Sequence, residues 1–159
     1  MDQKVQHQIV QFNLLFKRYD DIYRSAAKKF DMPELALWVL YALREKPDCT
    51  QKDLVDLLLQ PKQSIHTALK GLINDGYVVL ENQKIDRRSK LIRLTERGTS
   101  LAENSADQIV QAENRAFLTL TAEERKTILR LFEQLTNEMQ NEMQKIPGEP
   151  LRSLVNKSR

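Results

Sequence analysis

The stretch from Thr50 to Gly98 constrains this chain more than any other. Two short helical patterns, broken apart by Gln60-Pro61, run directly into two β-rich segments joined by a basic loop. Thr50-Gln51-Lys52-Asp53 has the form of a capping box: the threonine hydroxyl accepts from the amide three residues on, and the carboxylate there returns to the threonine amide and meets the positive helix end. A helix is therefore expected to start at Thr50, with Leu54, Val55, Leu57 and Leu58 as a broad buried face. Gln60-Pro61 should end it, because proline drives the residue before it out of the helical region. Pro61 suits the first position of the next helix.

The spacing predicts that next helix over Lys62 to Asp75. Ile65, Ala68, Leu69, Leu72 and Ile73 recur at i, i+3, i+4, i+7 and i+8, the period of one buried helical face. The opposite face carries Lys62, Gln63, Ser64, His66, Thr67 and Lys70, side chains that donate to phosphates or pair with base edges, and no carboxylate appears before Asp75. An ordinary solvated helix face is the bland alternative, and the hairpin that follows argues against it.

After Gly76, suited to the left-handed residue that ends a helix, Tyr77-Val78-Val79-Leu80 and Leu91-Ile92-Arg93-Leu94 read as two strands. The loop between them, Asn82 to Lys90, is too long for a tight turn. It sets Lys84, Arg87, Arg88 and Lys90 against one carboxylate, Asp86. Such a loop is a basic wing: Asp86 folds back on Arg88 or the loop amides to hold the tip, and a guanidinium fits the enhanced negative potential of a narrow minor groove. An exposed salt bridge of little energetic weight is the alternative reading of Asp86.

With the residues in this order, the chain resembles the MarR-type (multiple antibiotic resistance regulator) winged-helix transcription factors from about Pro33 to Leu101. The resemblance rests on Gly76-Tyr77-Val78, the wing signature Asp86-Arg87-Arg88 and the Leu94-Thr95-Glu96-Arg97-Gly98 that opens the following helix. It implies that the helix from Lys62 to Asp75 enters the major groove and the wing arginine reaches the minor groove, so Gln63, Ser64, Thr67 and Arg88 inherit those roles. The segment Leu54-Val55-Asp56-Leu57-Leu58-Leu59 departs from the family, being bulkier than its usual alanine-containing pattern.

Long helical patterns flank this unit. From Gln3 to Phe30 an apolar stripe runs through Phe12, Phe16, Tyr19, Tyr23, Ala26 and Phe30. Thr95 caps a helix whose apolar positions include Leu101, Ala106, Ile109, Val110, Ala116 and Phe117, and Leu120-Thr121-Ala122-Glu123-Glu124 signals a new start. Ile128, Leu131, Phe132, Leu135, Met139 and Met143 make a third stripe. So much apolar surface around one small unit is most simply covered by a second subunit. The resemblance adds that these terminal helices form a two-fold dimer interface.

The expected fold is thus mainly α with a small β-hairpin wing, a winged helix-turn-helix flanked by long N- and C-terminal dimerisation helices. One MarR-like chain spans 1–159. The DNA-binding unit occupies 33–98, the dimerisation helices 3–30 and 95–144, and a loosely ordered tail 147–159.

A length of 159 residues suits one domain, and 41% hydrophobic residues suffice for a core. The formal charge is only +3, so positive charge must be local to act on DNA. Nothing approaches the roughly 18 consecutive apolar residues of a membrane span, and Met1-Asp2-Gln3-Lys4 is not the start of a signal peptide. A soluble cytoplasmic protein without membrane contact is expected. The single cysteine, Cys49, excludes an internal disulfide and suits a reducing compartment.

No catalytic activity is expected. The chain has only four glycines, no glycine-rich phosphate loop and no nucleophile beside a recognisable base. His7 and His66 lie far apart in sequence, and neither a metal site nor a cofactor is expected. Cys49 reads first as a small buried residue in a turn; because it precedes a helix N-terminus, where the dipole would lower its pKa, a redox sensor is the alternative. Members of the resembled family that sense peroxides carry a reactive cysteine beside tyrosines in the first helix, and this chain has Tyr19 and Tyr23 there without one.

Tyr19, Tyr23, Phe30, Trp38 and Tyr41 are candidates to line a pocket between the first helices and the winged unit, the place where the family binds aromatic or phenolic effectors; plain core packing is the other reading. The function expected is a sequence-specific, double-stranded-DNA-binding regulator, a ligand-responsive repressor acting as a homodimer on a pseudo-palindromic operator. Two alternatives stand beside it: a winged-helix protein-interaction module, favoured by an acidic or apolar outer face, and a redox-responsive regulator using Cys49.

Overall fold

Local sequence signals start most of the helices. The side chains of Asp2, Thr50, Thr95 and Thr121 each accept a hydrogen bond from an amide of the first turn that follows. At Thr50 and Thr121 the capping box is complete, with Asp53 and Glu124 accepting from the threonine amides at 2.8 and 2.7 Å. The computed structural model describes residues 2–82 and 90–148. Its helices are α1 (Gln3–Lys29), α2 (Glu34–Glu45), α3 (Gln51–Leu58), α4 (Lys62–Asn74), α5 (Glu96–Glu103), α6 (Ala106–Phe117) and α7 (Ala122–Gln144). Its strands are β1 (Cys49–Thr50), β2 (Val78–Asn82) and β3 (Lys90–Leu94). The chain separates into two compact units, Met1–Glu113 and Asn114–Arg159.

Within the first unit α2 is the hub. Ala36, Leu37, Val39, Leu40, Ala42 and Leu43 are all buried, so this helix is covered on nearly every side. Leu54 of α3, Ile65, Leu69 and Leu72 of α4, Val78 of β2, Ile92 of β3 and Ala102 of α5 complete the core. The strands form one antiparallel sheet in the order β1-β3-β2, with Val78 opposite Leu94, Asn82 opposite Lys90 and Cys49 opposite Ile92.

The expected winged helix-turn-helix is present, with differences of detail. A third strand, β1, occupies the place read as a turn around Cys49; two residues long, it shows no alternation in the sequence. The hairpin strands run further than expected, to Asn82 and from Lys90. Only Leu54 of the presumed broad face of α3 is buried, while Leu57 is 55% exposed. That helix ends in a left-handed residue, Leu59 at φ 50°, so the break precedes the proline effect on Gln60. Pro61 is the N-cap of α4 rather than its first residue.

The pattern opened by Thr95 is two helices. Asn104 Nδ2 donates to the Ser100 carbonyl at 2.8 Å and Ser105 Oγ to the Leu101 carbonyl at 2.6 Å, and side chains that bond back to the preceding turn in this way compete with helix continuation. In α1 only Tyr23 and Ala27 are buried, so the inward face ends on Ala27 where Ala26 was expected. No residue of α7 is buried. Of the presumed tail 147–159, residues 149–159 lie outside the described residues.

Candidate nucleic-acid interface

The core face of α4 fixes what its other face presents. With Ile65, Leu69 and Leu72 buried, Lys62, Gln63, His66, Thr67 and Lys70 project outward and are exposed, and Ser64 is half-buried. α4 holds no carboxylate anywhere along its length. Thr67 Oγ1 donates to the Gln63 carbonyl at 2.9 Å, which leaves its lone pairs and methyl group for an outside partner. Gln51 Nε2 reaches the Lys62 carbonyl at 3.4 Å and ties the start of α4 to α3.

Beside α4, a groove of about 910 Å³ runs between α3, α4 and the hairpin. Lys52, Lys62, Lys70 and Lys90 line it with His66, over a floor that includes Val55, Leu69 and Ile92. Sequence reasoning had gathered all of these cations except Lys52. It belongs to a different helix from the recognition residues, and only the crossing of α3 with α4 brings it to the same groove.

Of the wing residues, Lys84, Asp86, Arg87 and Arg88 lie outside the described residues. The base of the hairpin is anchored on the rest of the unit. Arg93 of β3 pairs with Asp48 at 2.5 Å and with Glu81 of β2 at 3.4 Å, and donates to the Pro47 carbonyl at 3.5 Å. At the other end, Thr95 donates its amide to the Tyr77 carbonyl at 3.0 Å and its hydroxyl to the Gly76 carbonyl at 2.7 Å. Gly76, at φ 75°, supplies the left-handed residue between α4 and β2. The Arg97 guanidinium lies 5.2 Å from the centre of the Tyr77 ring. The hairpin and α4 are thus positioned through one short turn.

The α3 cap is electrostatically set. The Asp53 carboxyl is lowered from 3.8 to about 2 by the Thr50 hydroxyl, then the Thr50 amide, then the Lys46 ammonium at 3.0 Å. Cys49, in contrast, is fully buried and its thiol is pushed up by that burial. Of the two readings of Cys49 the buried one holds, in a strand rather than a turn: β1 places the side chain in the core, and burial outweighs the Lys46 charge.

Four of the five aromatic candidates come together. Tyr23 lies 4.8 Å from Trp38 and 5.2 Å from Tyr19, and Trp38 lies 5.5 Å from Tyr41, all between ring centres. Phe30 does not join these ring contacts and lines a cavity with Met32 and Leu35. Sequence reasoning missed Glu113 of α6. Its two carboxylate oxygens accept from Tyr23 at 2.7 Å and Tyr41 at 3.1 Å, and Tyr19 and Tyr23 share a hydroxyl contact at 2.9 Å. Burial first, then the Glu113 charge, pushes Tyr41 up to about 12. Burial, followed by the hydrogen bonds to Tyr19 and Glu113, also raises Tyr23 above its ordinary value. Earlier on α6, Asp107 takes a bidentate pair from Arg44 at 2.9 and 2.6 Å.

Among the described residues, no group of His, Cys, Asp and Glu is arranged to hold a metal ion. Nor is any described helix long and apolar enough to cross a membrane.

Comparison with known proteins agrees with this architecture. The MarR family model matches residues 30–89. Over 98 residues the chain is 31% identical to the uncharacterized HTH-type transcriptional regulator YwhA of Bacillus subtilis (strain 168), a match covering 62% of this chain and 70% of that protein. In fold it is similar to a MarR family regulator from Neisseria meningitidis, with TM-score 0.72, 22% identity and coverage of 91% of this chain and 99% of that one. It is also similar to the MepR of the S. aureus MepR–DNA complex, with TM-score 0.65, 18% identity and coverage of 82% and 96%. The chain belongs to the MarR family and is a winged helix-turn-helix, DNA-binding transcriptional regulator.

Proposed function

We propose that this protein is a homodimeric, ligand-responsive repressor that reads a pseudo-palindromic duplex operator in the cytoplasm. One observation carries the reading: the outward face of α4 is polar or basic and free of carboxylates, and it is exposed at Lys62, Gln63, His66, Thr67 and Lys70. In this reading α4 enters the major groove. Lys62 and Lys70, with Lys52 and Lys90 beside them, neutralise phosphates, while Gln63, Ser64, His66 and Thr67 meet base edges. Lys84, Arg87 and Arg88 act from the wing and Asp86 shapes it. The similar fold of MepR in the S. aureus MepR–DNA complex supports DNA as the partner.

Dimerisation through 3–30 and 95–144 draws support from each helix taken by itself. In α7, Ile128, Leu131, Leu135 and Met139 are each at least 40% exposed along one stripe. In α1, Ile9, Leu15 and Ile22 are 46%, 63% and 59% exposed. Helices with such stripes draw their stability from packing against a partner. A two-fold dimer copies its symmetry into the operator, with half-sites about 10 bp apart centre to centre.

For the effector, the cluster of Tyr19, Tyr23, Trp38 and Tyr41 favours a phenol over an aromatic acid. Glu113 has no ion pair among the described residues, so its carboxylate welcomes a donated hydroxyl and repels a second anion. Such a ligand acts by favouring a spacing of the two recognition helices that no longer matches the groove repeat.

Selection of bound genomic fragments followed by sequencing tests the reading, with light scattering on the free protein. Expected are an enriched inverted repeat and a dimer at micromolar concentration. A monomer, or retention of DNA without any shared sequence, would overturn it.

A further inference from the structure

Leu59, in the turn between α3 and α4, serves no purpose in its own fold. It ends α3 in the left-handed region, at φ 50° and ψ 37°. There a Cβ crowds the following carbonyl oxygen, and the usual occupant is glycine or asparagine. Among the described residues only one other non-glycine residue has positive φ, Asp31, and its short polar side chain is of the kind that tolerates it. A leucine in this conformation is strained.

The side chain gains no packing in exchange for that strain. Leu59 is 86% exposed, the most of any large apolar residue described. Of the others that are at least half exposed, all but its neighbour Leu57 lie on α1, on α7, or just outside α7 at Leu118 and Ile146. The dimerisation helices therefore account for those and not for Leu59. Strain kept where the fold itself gains nothing points to a partner outside the chain.

The surroundings of Leu59 say which partner. From Leu57 to Asn74 the chain carries no carboxylate. Lys62 and Gln63, both exposed, open α4 only three and four positions after Leu59, and three residues span at most about 11 Å. Pro61, at φ −54°, is the N-cap of α4 and accepts the Ile65 amide at 3.1 Å, so the link is stiff as well as short. In a helix-turn-helix the N-terminal residues of the recognition helix meet the base edges. An apolar side chain held beside them finds one apolar group on those edges in the major groove, the C5 methyl of thymine.

We propose that Leu59 is a specificity-determining residue, packing on a thymine methyl in each half-site of the operator. This assignment rests on α4 entering the major groove, and it commits the α3–α4 turn to DNA rather than to a protein partner.

The test uses the full-length protein and the operator recovered by selection, with each thymine in turn replaced by deoxyuridine in both half-sites, which removes the methyl and nothing else. At one such position the wild type should lose on the order of tenfold in affinity, two lost methyl contacts at about fourfold each. Leu59→Gly should bind the thymine and deoxyuridine duplexes within about twofold of each other and, freed of the strain, should melt no lower than the wild type. Leu59→Asn, polar and suited to the same conformation, should repeat both results. No thymine whose methyl matters, a methyl effect that persists in the two variants, or variants that melt well below the wild type would overturn the proposal. Gln63→Ala on the same duplexes separates this assignment from the reading beneath it. Relaxed base preference there without a methyl effect at Leu59 means that α4 reads the groove and Leu59 alone is misassigned; no change in either means that the groove reading falls as well.

Discussion

Gly98→Ala should be among the most damaging single-methyl changes available to this protein. An added Cβ would sit 1.9 Å from the Tyr77 carbonyl oxygen, 2.9 Å from its carbon and 3.3 Å from Leu94 Cδ2. Ordinary carbon–oxygen approach is about 3.3 Å, so α5 and the Gly76–Tyr77 turn must part by more than about 1 Å. The Thr95 bonds to Tyr77 and Gly76 span that gap and together stabilise by about 2 kcal/mol. Overpacking adds about 1–3 kcal/mol, and the better helix propensity of alanine returns about 1 kcal/mol. The net loss is about 2–4 kcal/mol, a fall in Tm on the order of 10 °C for a chain of this length.

The measurement is thermal unfolding of Gly98→Ala beside Gly71→Ala, an identical chemical change in another helix of the same unit. Gly71→Ala meets nothing within 4 Å and should gain up to about 1 kcal/mol. Opposite signs are expected. A Gly98→Ala variant melting with the wild type, or two variants falling together, would refute the argument that backbone approach rather than propensity sets the cost. Because the Gly76–Tyr77 turn joins α4 to β2, Gly98→Ala should also weaken DNA binding at temperatures where it remains folded.

Three further outcomes are expected. Asp53 has a folded pKa below its ordinary value, so its contribution is present above pH 3.8 and is lost as pH falls through about 2. Its side chain is 36% exposed, which discounts that contribution to about 1 kcal/mol; Asp53→Asn should lose this at neutral pH and flatten the acid limb of a stability–pH curve. Tyr41 behaves in the opposite sense, its folded pKa being raised from 10.0 to about 12, so stability declines as pH rises between those values. Ultraviolet titration should show Glu113→Gln moving that phenol back toward 10.0; an unmoved titration would remove Glu113 as a cause. Finally, Gln63→Ala or Thr67→Ala should relax base preference at particular operator positions, at about 1–3 kcal/mol for each good bidentate pair removed, whereas Lys62→Ala weakens all sequences alike. Binding-site selection separates the two behaviours, and uniform weakening from all three would mean that α4 touches only phosphates.

What the sequence made legible is what short-range physics controls. The Thr50 and Thr121 boxes are closed within three residues, so their helices began where they were expected. The i, i+3, i+4 pattern of Ile65, Leu69 and Leu72 oriented α4 by itself, and with it the side chains of the outward face. Signals weaker than a turn of helix were missed. β1 has two residues, whose only reason to be extended is the ladder offered by β3. The break at Asn104–Ser105 depends on two side chains choosing backbone partners over solvent, while the apolar pattern runs straight through. Leu57 and Leu59 show the converse: both are apolar in a helical pattern, yet exposed, because the inward face of α3 is taken by Leu54 with Val55 and Leu58 beside it.

The effector cluster marks where such reading ends, and why. Tyr19 and Tyr23, four residues apart on α1, and Trp38 and Tyr41, three apart on α2, could be grouped from helical spacing. Their chemistry could not, because it is decided by a carboxylate 90 residues beyond Tyr23. Aromatic rings alone would accept a neutral, anionic or cationic partner. Glu113 gives the cluster an acceptor, and the same residue ties α6 to α1 and α2 through two phenolic hydroxyls. A donor ligand that took the place of either phenol at Glu113 would release that tyrosine. Such binding would then be coupled to a loosening of α6, with Arg44–Asp107 and the remaining phenol as described polar ties. That linkage requires a charge-neutral Glu113→Gln variant to loosen α6 without ligand, seen as faster exchange of the α6 amides. Unchanged exchange would leave the cluster as packing alone.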